Sequence, residues 1–232
     1  MSEIQRRAWN VLGRTAGNTV APGVAVLCAL AGIPVGESTA LGAFAGSITE
    51  EGVTAAAHLL RSDRTRRVGR FAQTATEAAG CTLDELIAEA SAYPEKLELL
   101  AQAVEGASRS LSDQKIDLLA RMAAHGIRDD AKVDETLIRL DAVRPLEMPH
   151  LRVLLLLYRR RTFEGAARYY WRRDELIEFD PGFGTAINGV AAKLASLALA
   201  DLQPDGREGW SIHLTRFGYE CARFLSERET AE

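Results

Sequence analysis

Residues 158–173 read YRRRTFEGAARYYWRR. Arg159, Arg160, Arg161, Arg168, Arg172 and Arg173 stand against one acid, Glu164, with Tyr158, Phe163, Tyr169, Tyr170 and Trp171 between them. Guanidinium groups neutralise phosphates and aromatic faces stack on bases, so this composition suits a polyanion. It equally suits a solvated helix end whose aromatics complete a domain core. A second basic run, Arg61, Arg64, Arg66, Arg67 and Arg70, follows an apolar stretch. Contact with phosphate or anionic lipid is one reading, and the polar face of a helix over 64–79 is the preferred one.

Groups for catalysis or metal binding are scattered. His58, His125, His150 and His213 fall in no H-E-x-x-H or Cys/His ligand spacing. There is no P-loop, no G-x-G-x-x-G after a strand and no G-x-S-x-G elbow. Cys28, Cys81 and Cys221 are odd in number and far apart, which argues against disulfides and a zinc site and fits a reducing cytoplasm. Asp129, Asp130, Asp134 and Glu135 lie where a helix begins, and its dipole accounts for them. The expectation is no enzymatic activity, no cofactor and no metal. A formal net charge of −4 means that any nucleic-acid contact must rest on a local patch.

The elements that must position these residues are helical over most of the chain. Between Thr15 and Thr49 the only charged residue is Glu37, and two helices are expected, near 18–33 and 39–60, parted by Pro34 and Gly36. Gly42 and Gly46 share a face of the second, which permits close approach of a partner helix and makes them candidates for self-association. As a membrane hairpin, 15–60 would have basic flanks on one side of the bilayer. Against that, Glu50 and Glu51 interrupt the second helix short of the roughly 20 apolar residues that a span needs. A buried hairpin is favoured, and membrane contact stays open. Amphipathic helices follow at 64–79 (stopped by Gly80), from the Thr82–Glu85 capping box, from Pro94, over 112–125 (ending at Gly126) and from Asp129 or Asp130 to about Val143. No strand is expected before residue 195. Pro145 and Pro149 mark the expected boundary between an all-α domain, 1–146, and a second domain, 147–232. The polar N-terminus, MSEIQRR, does not look like a cleavable leader.

In the second domain an apolar helix starts at Pro149, a short one covers 174–179, and a third spans 184–198. LALADLQ, PDGREGW and SIHLT then read as strand, turn and strand, with Asp205-Gly206 as turn residues. Thr215 caps a closing helix with Phe217, Cys221, Phe224 and Leu225 on one face. LTRFGYECARFL resembles the closing helix of bacterial winged-helix domains. The expected fold is therefore mainly α, with a C-terminal winged helix and a small β-hairpin. Its third helix, in the position that reads DNA, offers only Asn188 and Lys193 as side chains able to fork onto base edges, and its other outward residues are small. That face suits another protein better than a major groove.

PEKLELLAQAVEGASRSLSDQKIDLLARMAAHGIRDD, followed after one helix by LEMPHLRVLLLL, resembles abortive-infection alpha-type and related bacterial proteins. The resemblance implies an N-terminal helical region, a C-terminal winged-helix-like part and a link with phage defence, and it carries over no functional residue. The resulting expectation is a cytoplasmic, non-catalytic interaction protein. Its winged helix contacts another protein, and its Gly-rich hairpin self-associates or touches the inner face of a membrane. The alternative is a dimeric DNA-binding regulator holding phosphates through Arg159–Arg161, Arg168, Arg172 and Arg173.

Overall fold

The apolar run PGVAVLCAL folds as α1 (Pro22–Leu30), in a computed structural model that describes residues 22–33, 50–162, 169–206 and 209–226. Ala25, Val26, Leu27 and Cys28 are buried. This stretch thus lies inside a helical core, with α2 (Glu50–Ala79), α3 (Leu83–Ala92) and α4 (Pro94–Arg109) packed on it. Gly42 and Gly46 lie outside the described residues, as does the first half of the expected helix 39–60. Its last part does not end before a separate helix at 64–79. Glu50–Ala79 is one continuous helix, because Arg61–Arg67 contains no Gly or Pro and arginine is a good helix former. Among the described residues no helix is long and apolar enough to cross a membrane.

The chain divides into two compact units, Met1–Leu137 and Ile138–Glu232, a division that falls within α6 (Val133–Val143). In the first unit, α2 packs along α5 (Asp113–Arg128) and α4 packs against both. Phe71, Leu99, Leu100, Ile116, Leu119, Met122 and Ile127 fill the space between them. The capping box before α3 forms as expected. Glu85 N donates to Thr82 Oγ1 at 3.3 Å, while Thr82 N and Oγ1 donate to Glu85 Oε2 at 2.8 and 2.9 Å, and these last two bonds hold the Glu85 carboxyl below its ordinary range. Gly126 does not end its helix, which runs on to Arg128. A Cβ there would lie 2.5 Å from Leu99 Cδ2, so the residue is small to let α4 come close.

Of the arginines in α2, Arg67 donates to the Ser108 carbonyl at 3.3 Å. Arg70 forks onto Asp117, with Nε to Oδ1 and Nη2 to Oδ2 both at 2.7 Å, and Nη1 reaches Asp113 Oδ2 at 2.9 Å. Asp117 is buried and also accepts from Thr74 Oγ1. Its hydrogen bonds raise the Arg70 guanidinium above the usual arginine value. Lys96, also buried, pairs with Asp130 and with Glu89 and lies near the Tyr93 ring. Burial pulls its ammonium down, yet the bonds to Asp130 and Glu89 outweigh that and hold it above the usual lysine range.

The second unit comprises α7 (Met148–Thr162), β1 (Tyr170–Arg172), α8 (Arg173–Phe179), a 3₁₀ turn (Pro181–Ala186), α9 (Ile187–Ser196), β2 (Ala200–Asp205), β3 (Gly209–Leu214) and α10 (Arg216–Ser226). β3 lies between β1 and β2 and is antiparallel to both, with Trp171 and Leu202 opposite Ile212. Helix–strand–helix–helix–strand–strand, with the first strand on the last, is the winged-helix arrangement. The strand β1 corrects the expectation of none before residue 195. Three residues are too few to show alternation, and its arginines belong to a charge-rich run. The third helix also starts later than expected, at Ile187, because Gly184 (φ +43°) kinks the chain before it.

Leu154, Leu157, Leu176, Ile187, Leu194, Ile212 and Cys221 are buried at the centre of this unit. The α9–β2 turn and the start of α10 are knitted together. Thr215 Oγ1 accepts from Gly218 N at 2.9 Å and donates to the Ala198 carbonyl at 2.7 Å, and Thr215 N donates to the Leu199 carbonyl at 3.2 Å. Gly218 sits so near that a Cβ on it would run into the Leu199 carbonyl. Ala198 ends α9 in the left-handed region (φ +56°), with Ala198 N donating to Ala195 O and Leu199 N to Leu194 O. Glycine normally takes that position, as Gly80 (φ +64°) does after α2.

Candidate functional site

The basic, aromatic stretch enters the winged helix as the end of α7, β1 and the start of α8, so the fold decides where each guanidinium goes. Arg160 stacks over the Trp171 ring, 4.2 Å from its centroid, and donates from Nη1 to Glu175 Oε2 at 3.1 Å. The same Glu175 oxygen accepts from Arg172 N at 3.2 Å and so covers the open N-terminus of α8. Trp171 Nε1 donates to the Leu156 carbonyl at 3.3 Å, and the ring meets Phe179 edge-on. Arg160 therefore ties α7 to β1 and α8.

Arg161 donates from Nη1 to the Leu214 and Thr215 carbonyls at 3.0 and 3.3 Å, and its guanidinium lies over the Tyr219 ring. Tyr219 in turn packs on Tyr158 with centroids 5.1 Å apart, and that neighbour raises the Tyr219 phenol above its usual value. Arg172 Nε lies 3.0 Å from Asp205 Oδ2, joining β1 to the far end of β2. Arg173 Nη1 donates to Asp174 Oδ1 at 2.8 Å. Arg159 is exposed on α7. Arg168 lies outside the described residues.

Asn188 does project from the exposed side of α9, but its amide oxygen is engaged. It accepts from Trp210 Nε1 at 3.1 Å and from Arg173 Nε at 3.3 Å. The side chain thereby fastens α9 to the wing strand β3 and to α8. Lys193 is half-buried in the last turn of α9. Ile187, Val190, Ala191 and Leu194 form the buried face, as their spacing predicts. Outward are Thr185, Ala186, Asn188, Gly189, Ala192 and Ser196: small and without charge.

Arg160, Arg172 and Arg173 thus face carboxylates of their own module, and Arg161 serves backbone carbonyls. Each of the three makes a single contact with a carboxylate, so part of its charge is already met within the module before any phosphate arrives. The partners Glu175, Asp205 and Trp210 were missed as parts of the site. Only Glu175 carries a local signal, its position three residues after Arg172 at a helix start. Sequence reading also missed the exposure of Phe179 and Tyr169, which are 61% and 65% accessible beside this cluster. Among the described residues no group of three or more His, Cys, Asp or Glu could hold a metal ion. No protein-family model matches the chain, and neither does any curated protein or solved structure.

Proposed function

We propose that this is a non-catalytic interaction protein whose winged helix docks on another protein rather than on DNA. The resemblance of residues 94–157 to abortive-infection proteins makes phage defence its setting. On this reading the N-terminal Gly-rich region supplies self-association or membrane contact. The observation that carries the proposal is the state of the third helix and its arginines. α9 presents small uncharged residues, its one base-reading amide is engaged by Trp210 and Arg173, and Arg160, Arg172 and Arg173 are paired within the module. A helix face of small uncharged residues, together with exposed Tyr169 and Phe179 in the same module, fits the make-up of protein interfaces, whose cores are poor in charge and rich in aromatics.

Two measurements test it together. In a low-salt DNA titration the parent protein gives no shift. Affinity enrichment from the native host yields a partner that Ala192→Asp and Phe179→Ser both lose while remaining folded. A DNA shift that falls steeply with salt and vanishes when Arg159 and Arg161 are neutralised overturns the proposal in favour of a DNA-binding regulator. For the N-terminal region, light scattering shows an oligomer that Gly42→Leu or Gly46→Leu weakens; a strict monomer with indifferent variants removes self-association from the proposal.

A further inference from the structure

Asn188 is followed by Gly189, and no other asparagine of the chain precedes a glycine: Asn10 is followed by Val11 and Asn18 by Thr19. The amide carbon of an asparagine is open to attack by the backbone nitrogen of the next residue. A glycine there has no Cβ to shield that nitrogen, whereas valine and threonine are branched at Cβ and crowd it. Asn188 and Gly189 are both exposed. They are the second and third residues of α9, after Ile187, and Ala186 before them supplies no side-chain cap. The Gly189 N–H therefore belongs to the first turn, whose donors have no carbonyl four residues back within the helix. Opening that turn brings the nitrogen to the Asn188 side chain without unwinding the rest of α9.

Two donors already stand where the reaction needs them. Asn188 Oδ1 accepts from Trp210 Nε1 at 3.1 Å and from Arg173 Nε at 3.3 Å. When Gly189 N attacks Cγ, the carbonyl electron pair moves onto Oδ1, and hydrogen bonds to a charged oxygen are roughly twice as strong as to a neutral one. The same bonds restrain the side chain, but they hold the neutral oxygen less tightly than the oxyanion. Their net effect is to speed the attack.

We infer that Asn188-Gly189 is a self-modification site, where the amide closes to a succinimide with the help of Trp210 and Arg173 and is then hydrolysed to an acid. In closing, the Gly189 nitrogen gives its proton to solvent, bonds to Cγ and expels Nδ2, which takes a proton from water and leaves as ammonia. Water then adds to one of the two ring carbonyls and breaks its bond to the nitrogen. Addition at Cγ yields aspartate; addition at the main-chain carbonyl yields isoaspartate, with the chain rerouted through Cβ and Cγ. Overall water is consumed and ammonia released, and no oxidant or cofactor is needed. Either product sets a carboxylate on a helix face whose other outward residues are small and uncharged. As aspartate it also suits the first turn of a helix and the Arg173 guanidinium. The reaction belongs to the chain alone, so it goes beyond the docking proposed above and does not rest on it.

The test is timed incubation of the full chain in mildly alkaline buffer, read by peptide mapping in a mass spectrometer and by ion-exchange chromatography. The parent loses the Asn188 amide well before those of Asn10 and Asn18, and a more acidic species grows in step. Gly189→Ala meets open space and favours the closed helical turn, so it slows conversion about fivefold or more. Trp210→Phe keeps an aromatic ring, removes one donor to Oδ1 and slows conversion about threefold. Circular dichroism and melting that match the parent show that both variants fold. A parent whose Asn188 lasts as long as Asn10 and Asn18 overturns the inference. So does either variant converting as fast as the parent or faster. No partner enters the readout, so failure of the docking proposal leaves this result untouched.

Discussion

Each unit has an arginine-rich run, and the two are spent differently. In the first, Arg70 reaches Asp117 and Asp113 across the seam between α2 and α5, and its partner Asp117 is buried. In the second, Arg160 lies on the face of Trp171 and Arg161 on that of Tyr219, and Arg161 takes up carbonyls at the end of β3. The helical unit thus uses an arginine as one half of a covered ion pair. The winged helix uses them as planar spacers that fill the joints between a small sheet and its helices. A lost partner in the first case strands a charge in the interior, while in the second the loss is shared among a ring, a carbonyl and solvent.

Substitutions can separate the two cases. Gly218→Ala is the bluntest, since its methyl group must displace the Leu199 backbone. The second unit is expected to lose about 3 kcal/mol or more, visible in calorimetry as an early transition that leaves the first unit's melting unchanged. Asp117→Asn should cost about 2–3 kcal/mol, because Arg70 is left without its forked partner but keeps some access to water. Arg161→Ala should cost about 1–2 kcal/mol in urea unfolding, for two carbonyl bonds and one ring contact. Equal losses for Asp117→Asn and Arg161→Ala would erase the distinction drawn between the two runs. The smallest effect has the opposite sign. Ala198→Gly should stabilise the second unit by about 1 kcal/mol, because it removes a Cβ from a left-handed helix end already closed by its hydrogen bonds.

Features written in neighbouring residues were legible in advance. The Thr82–Glu85 box, the Gly80 stop, the Thr215 cap and the inward face of α9 all depend on spacings of a few residues, whereas Asp205, expected in the turn, ends β2 opposite Gly209. Features that depend on distant partners were not. Arg161 and the Leu214 carbonyl are 53 residues apart, and nothing in RRR says which of three guanidinium groups will face a strand end. β1 forms because Ile212 and its neighbours on β3 offer a free edge, not because YWR favours a strand. Gly126 reads as a stop until Leu99 is seen beside it. The basic, aromatic segment could therefore be singled out from its composition, while the occupation of its arginines and of Asn188 had to come from the fold.

Cys28 and Cys221 acquire a use from where they lie. One belongs to each unit, and both thiols are buried. Burial raises each above the ordinary cysteine value, with Cys221 pushed up to about 12. A thiol in that condition reacts with a disulfide reagent only while its surroundings are open, so its labelling rate is a clock for opening. The chain carries one such clock per unit, together with half-buried Cys81 as a faster reference. Mass spectrometry of a single timed labelling reaction would then report the opening equilibria of both units side by side, without introducing a probe.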